Sequence, residues 1–398
     1  AIVDKIPLIS VKKNRKSLFE RLFDLEKIFG VASTAPDGTK TYKTTVTLPA
    51  DKTQDKITPL LLAGLGISES ELKMLFSYLG IDISSDQQID YSTISKLFRH
   101  CRIASGLRWT IESLIGAMKI LFNDASIQQI DDVHKLIEFN QWLKKSPLKV
   151  TDLLFILNGE ETSVKQFESN NDSSAAAIWE IQKAPETDKI KFLLLHLQKA
   201  FNLTSDQLQK EFLTRLVTND FYGPDTETLS VGMNKALNAS FTNDQPDDLK
   251  DFDELTALKR ELERVALLFA KLEYTPETIS FFVGQKDLFG IADLKIRTLL
   301  EIKMADCYRS LVTGTDQDQE TNIQKALIQY RTNGHFSDES LIIFANVWRQ
   351  PAGQLKSLAN AFPFSAIALE AAQFLSELNI LSKNLGIEGH NLLKLISS

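Results

Sequence analysis

Apolar residues along this chain recur at the three-to-four-residue spacing of an α-helix. Ile94, Leu97, Phe98 and Cys101 follow it, and so do Ile111, Leu114, Ile115 and Met118. Leu255, Leu258, Leu262, Val265, Phe269 and Leu272 trace one stripe, with Lys259, Arg260, Glu261, Glu263 and Arg264 on its wet side. The two-residue alternation of a strand is clear only over Tyr42–Leu48, where Tyr42, Thr44, Val46 and Leu48 would share one face. Asp37-Gly38 just before it reads as a turn, so a small Thr-rich hairpin or irregular insertion is expected near 37–50.

A local signature repeats. An apolar residue precedes Ser or Thr, and a second apolar residue follows four positions later. It occurs at Ile67-Ser68 with Leu72, Trp109-Thr110 with Leu114, Leu203-Thr204 with Leu208, Tyr274-Thr275 with Ile279 and Phe336-Ser337 with Leu341. The chemistry is helix initiation: the hydroxyl accepts from free N–H groups, and the apolar pair forms a hydrophobic staple. Glu71 and Gln207 would complete capping boxes with Ser68 and Thr204, and Pro276 occupies a first helical position. Weaker copies have Lys149 and Glu388 at the cap. Turns are expected at Ala104-Ser105-Gly106, Lys145-Ser146-Pro147 and Asn333-Gly334, which makes the repeated unit a helical hairpin. Cap spacings vary between 39 and 71 residues, which excludes a strict solenoid period. The expected fold is all-α, an irregular stack of capped helical hairpins. Linker-like stretches at Asn158–Ser174 and Val217–Lys250 suggest a division into an N-terminal lobe with the insertion (1–160), a helical segment with linker-like stretches (161–250) and a C-terminal lobe (251–398).

Composition narrows the function. The 398 residues carry a formal charge of −7, which argues against nucleic acid as a partner. Gly 17 and Pro 11 are few for this length and favour long helices. Two cysteines, Cys101 and Cys307, cannot build a disulfide scaffold. The longest apolar run, about Ile57–Ile67, is interrupted by Thr58, Pro59 and two glycines, so direct membrane insertion is not expected. The basic Lys12, Lys13, Arg15 and Lys16 follow rather than precede the opening apolar stretch, unlike a secretory signal. The first residue is Ala, as in an excised or processed chain.

Candidate chemistry is thin. Asp247-Asp248-Leu249-Lys250-Asp251 has the form of a Mg²⁺-diphosphate motif, with three carboxylates inside about one turn. It follows Pro246 in a polar stretch, and the nearest companion motif, at Asn171-Asp172, has Ala175 and Trp179 where Ser/Thr and Glu are needed. A solvated acidic helix start is the simpler reading. Asp316, Asp318 and Glu320 imitate a calcium loop, but Thr321 and Leu327 occupy the positions of its Gly and bidentate Glu. His100 and Cys101, adjacent on a helix, point about 100° apart, so Cys101 reads as a buried structural thiol. His100, His134, His196, His335 and His390 lack metal-ligand spacing. Trp109, Trp142, Trp179 and Trp348 fall at helix starts or stripes, where core packing is the expected role. No catalytic, cofactor-binding or metal-ligating residue is assigned, and no enzyme is expected.

The segment Ser92–Leu114, STISKLFRHCRIASGLRWTIESL, resembles a recurring unit of the Tc toxin A component, a large bacterial and often insecticidal translocator. That unit reads S-x-LYR-x-x-x-LA-x-x-LG before a capped S/T-x-x-x-L helix. Here Phe98 replaces Tyr, Ile103-Ala104 stands for Leu-Ala, and Leu107-Arg108 replaces the Leu-Gly turn. Val133–Leu157, Leu267–Phe282 with Leu288–Ile291, and Leu385–Ile387 with Leu392 are similar to further hairpins of that family. The resemblance implies a structural fragment of the α-helical shell around a translocation channel. It implies, as partners, the other domains of the parent subunit, homopentamer neighbours and a host-cell receptor, with a secreted or bacterial-surface location. The residue-level alternatives are a free-standing helical scaffold binding a protein partner, and an all-α Mg²⁺-dependent diphosphate enzyme using Asp247, Asp248 and Asp251.

Overall fold

A computed structural model describes residues 25–159 and 264–397, apart from 37, 39, 50–54, 83–85, 124–126, 128, 266, 292–297 and 388. The expected segment 161–250, the caps at Thr204 and Glu388, and the string Asp247–Asp251 lie outside the described residues. The chain forms two compact units, 1–145 and 146–398.

The first unit begins with α1 (Leu25–Phe29) and strands β1 (Val31–Thr34), β2 (Lys40–Tyr42) and β3 (Thr45–Leu48). Then come α2 (Thr58–Leu65), α3 (Glu69–Tyr78), β4 (Gln87–Asp90), α4 (Tyr91–Leu107), α5 (Ile111–Phe122) and α6 (Ile130–Leu143). The second unit's described elements are α7 (Val150–Asn158), helical residues 264–265 and 267–271, α8 (Pro276–Gly284) and a 3₁₀ turn (Lys286–Phe289). They continue through α9 (Leu299–Val312), α10 (Gln317–Asn333), α11 (Asp338–Trp348), α12 (Ala352–Ala361), α13 (Ala368–Leu385) and α14 (Gly389–Ser397). The fold is all-α with a small Thr-rich β insertion.

That insertion departs from the expected single strand over Tyr42–Leu48. β2 pairs antiparallel with β1, around a turn closed by Gly38 N–H on the Ala35 carbonyl. β3 instead pairs with β4, Val46 opposite Ile89 and Leu48 opposite Gln87. The break falls at Lys43, whose two backbone groups are both engaged. Its N–H donates to Gly30 O at 3.1 Å, and its carbonyl accepts from Tyr91 Oη at 3.1 Å. Tyr91 also lies against Phe29, ring centroids 4.2 Å apart, so the first turn of α4 ties both short ladders to the unit.

The helix starts follow the capping pattern. Ser68 and Glu71 form a reciprocal capping box, and Thr110, Thr275 and Ser337 accept from Ser113, Thr278 and Ser340 N–H. At Lys149 the weaker copy works through its third residue: Asp152 Oδ2 accepts the Lys149 N–H at 2.8 Å. The helix ends carry a signal that hydropathy does not. Gly66, Arg108 and Glu273 all sit in the left-handed region, at φ +71°, +60° and +54°. Each is followed by an apolar residue whose N–H reaches back five residues: Ile67 to Leu62 O, Trp109 to Ala104 O and Tyr274 to Phe269 O. Ser68, Thr110 or Thr275 then caps the next helix. A three-residue joint, left-handed then apolar then hydroxyl, thus closes one helix and opens another. The expected turn at Ala104–Gly106 is corrected by this: those residues remain helical, and the chain turns at Arg108.

In the first unit α4 is central and packs against α2, α5, α6 and β4. Its Ile94, Leu97, Phe98, Cys101, Ala104 and Leu107 are buried. In the second unit α13 packs on α9, α10, α12, α14 and the 3₁₀ turn, and Ala371 and Ala372 permit the close approach. Val265, Phe269 and Leu272, the described end of the long stripe, are buried as expected.

Arg108→Gly and Glu273→Gly should each stabilise their unit. A non-glycine residue in the left-handed region costs about 1–2 kcal/mol, of which glycine's greater unfolded entropy cancels about half. Urea midpoints should therefore rise by the equivalent of about 0.5–1 kcal/mol. A fall at both positions would refute this account of the joint.

Candidate functional site

Two features of the described residues stand apart from ordinary core packing: an apolar groove in the first unit and a polar network in the second. The groove runs between α4 and α6 and has a volume of about 500 Å³. Ser95, Arg99, Arg102 and Gly106, on successive turns of α4, form one wall, and Val133 and Ile137 of α6 form the other. Phe98, Ile103 and Leu107 supply the floor. The Arg102 guanidinium lies over the Phe98 ring, 4.9 Å from its centroid, and Arg99 Nη1 donates to Ile127 O at 3.3 Å. Among the described residues no acidic side chain lines the groove, in a chain of net charge −7.

The network of the second unit centres on Glu320, one of the three residues of the imitation calcium loop. Its Oε1 accepts from Thr278 Oγ1 at 2.6 Å, Tyr308 Oη at 3.0 Å and Gln324 Nε2 at 3.3 Å. Asp316 is instead the cap of α10, accepting from Gln319 N–H at 2.8 Å. The phenol of Tyr308 is held neutral far above its ordinary value, first by burial and then by the Glu320 charge. Around it Tyr274, Phe281 and Phe289 pack ring to ring, and Tyr274 Oη donates to Ala305 O at 2.6 Å. A carboxylate whose Oε1 takes three donors is a crosslink between α8, α9 and α10. Nothing in the sequence patterns pointed to it, because Thr278 and Tyr308 lie 42 and 12 positions from Glu320.

The titratable residues singled out from sequence separate in space. Cys101 and Cys307 are both buried thiols. Burial, reinforced by the Glu71 charge, pushes Cys101 up to about 12, and burial drives Cys307 higher still, the opposite of an activated nucleophile. His134 pairs with Glu138 on the surface, and His335 is exposed. Trp109 and Trp142 flank Phe139, and Trp348 stacks on Phe344; all three are half-buried. His196, Trp179, Asp247, Asp248 and Asp251 lie outside the described residues. Among the described residues no group of His, Cys, Asp and Glu is placed to hold a metal ion.

His100 is the most constrained of these groups, only 2% exposed. Its Nδ1 lies 2.7 Å from Lys96 O. A carbonyl can only accept, so Nδ1 carries the proton and Nε2 is a buried acceptor without a hydrogen-bond partner. Burial lowers its pKa, and the charges of Arg99 and Lys96 lower it further against the opposing Lys96 hydrogen bond.

No family model matches the sequence, and no curated protein matches it. Solved structures do. TcdA4 of Morganella morganii aligns over 98% of this chain with a TM-score of 0.63 at 16% identity. The chain has a Tc toxin-related fold. TcaA-TcaB of Yersinia pseudotuberculosis aligns over 97% with a TM-score of 0.56 at 12% identity. The chain spans only 16% and 27% of the lengths of those two chains. The helical joints described above are therefore joints of a Tc-related fold, and Arg108 stands at the turn where the resembling unit has glycine. No helix among the described residues is long and apolar enough to cross a membrane.

His100 gives this Tc-related fold a pH dependence of defined sign. Above the ordinary histidine value of about 6.5 neither folded nor unfolded chain is protonated there. Below it the unfolded chain takes up a proton that the folded one refuses, so stability falls as the pH drops towards the lowered folded value. The slope contributed is at most about 1.4 kcal/mol per pH unit. Urea midpoints should decline from pH 7 to pH 5 and decline less in His100→Gln; equal slopes would remove His100 as the cause.

Proposed function

We propose that this chain is a structural, non-catalytic piece of the α-helical shell of a Tc toxin A-type translocator, the subunit that delivers toxin through a central channel. The observation that carries the reading is the extent of the match. Nearly the whole chain aligns with a limited part of one much longer Tc chain. A shell needs area and rigidity, which capped hairpins and crosslinks such as Glu320 supply, and it needs no activated nucleophile. On this reading its partners are the other domains of the parent subunit, neighbouring copies in a homopentamer and a host-cell receptor. The parent toxin is secreted or held on the bacterial surface. Membrane insertion belongs to other segments of the parent.

The test is to read the coding sequence on both sides of this segment and image the complete product by cryo-electron microscopy. A five-fold assembly with these residues in its outer helical layer is expected. A free-standing product with no ring would overturn the proposal. The non-catalytic part has its own test in a thermal shift with Mg²⁺ and pyrophosphate. No rise in unfolding temperature is expected; a rise abolished by Asp248→Asn would assign diphosphate chemistry instead.

A further inference from the structure

The groove between α4 and α6 lies beyond the shell reading and does not depend on it. We infer that it is a docking site for one amphipathic α-helix of another polypeptide, a helix with aliphatic anchors and a carboxylate on the same face. Shape points to a helix. The α4 wall from Ser95 to Gly106 covers eleven positions, about 16 Å, or three turns. The opposite wall continues along α6 as Ile130, Val133 and Ile137, with Ile130 73% and Ile137 40% exposed, although these positions extend an apolar wall. Two helical ridges with an apolar trough between them receive the side chains of a third helix at i, i+3 or i+4 and i+7.

Charge selects among helices. Arg102 is exposed on the rim, and among the described residues its guanidinium is engaged only by the Phe98 ring. Arg99 lines the same wall, and among the described residues the lining carries no carboxylate. A partner carboxylate one turn from an aliphatic anchor would meet Arg102 without displacing the cation–π contact.

Gly106 supplies an independent observation. It is helical, and a Cβ built on it would meet nothing within 4 Å. Alanine would fit and would strengthen the helix. Packing within the chain therefore does not require glycine here, yet any larger side chain would project into the trough. The residue that weakens α4 is the one that keeps the groove open.

The experiment uses the full chain and a fluorescein-labelled helical peptide of about 15 residues, with leucines at i, i+3 and i+7 and glutamate at i+4. Anisotropy should report saturable binding to the wild type and to Gly106→Ala, weakened at least about tenfold by Gly106→Phe. The peptide with lysine in place of glutamate should bind about threefold more weakly, and Arg102→Gln should erase that difference. Thermal unfolding checks that Gly106→Phe is folded. Binding unchanged by Gly106→Phe, or absent from wild type and Gly106→Ala alike, overturns the inference. So does sedimentation velocity in which the wild type self-associates and Gly106→Phe does not, because the groove would then join copies of this chain.

Discussion

The ends of the helices are the constraint on which the rest of this structure depends. Each helix leaves four N–H and four C=O groups without internal partners, and burying such an end unsatisfied costs more than packing returns. A chain of many short helices meets that cost repeatedly. Here it is met by joints that serve two helices at once. At Arg108–Trp109–Thr110 one backbone N–H closes α4, while a hydroxyl oxygen opens α5. Because the joint is three residues long, successive helices must fold back on each other. Their apolar stripes then face one another without a long loop to be buried.

The same economy governs how carboxylates packed between helices of the described residues are treated. Asp152 is 1% exposed and takes both the Lys149 N–H at 2.8 Å and the Lys271 ammonium at 3.3 Å. Glu320 takes three donors. Both carboxylates join separate helices, so each fixes relative position within its unit as well as satisfying charge. His100 is treated differently, with one ring nitrogen engaged and the other dry, and the Oδ1 of buried Asn379 is likewise without a hydrogen-bond partner. The chemistry that would make such groups reactive is a lowered thiol pKa, a base beside a nucleophile or an open metal position. At both cysteines and at His100 the surroundings act the other way, stabilising the neutral form.

A Tc-related fold assembled from such joints can be lengthened or shortened at each turn without disturbing the next helix. That accords with irregular cap spacings and with an overall match at 16% identity. What must persist is the joint, rather than any residue in it: glycine, arginine and glutamate all occupy the same left-handed position in this one chain. Identity at such positions carries little information, while geometry carries much.

The sequence by itself determined the helical class, the starts of the helices and the buried stripes, because each depends on residues within one or two turns of each other. Ser68, Thr110, Thr275 and Ser337 were legible for that reason, and so was Cys101 on its stripe. Tertiary structure alone decided the rest. Tyr42–Leu48 became two strands because Lys43 met Gly30 and Tyr91, the latter 48 positions away. Glu320 became a crosslink because α8 and α9 delivered Thr278 and Tyr308 to it. Gly106, read as a turn, became one wall of a groove because α6 settled opposite it. Local hydrogen bonding is written in neighbouring residues; the partners of a side chain across a packed interface are set only once the helices have chosen where to lie.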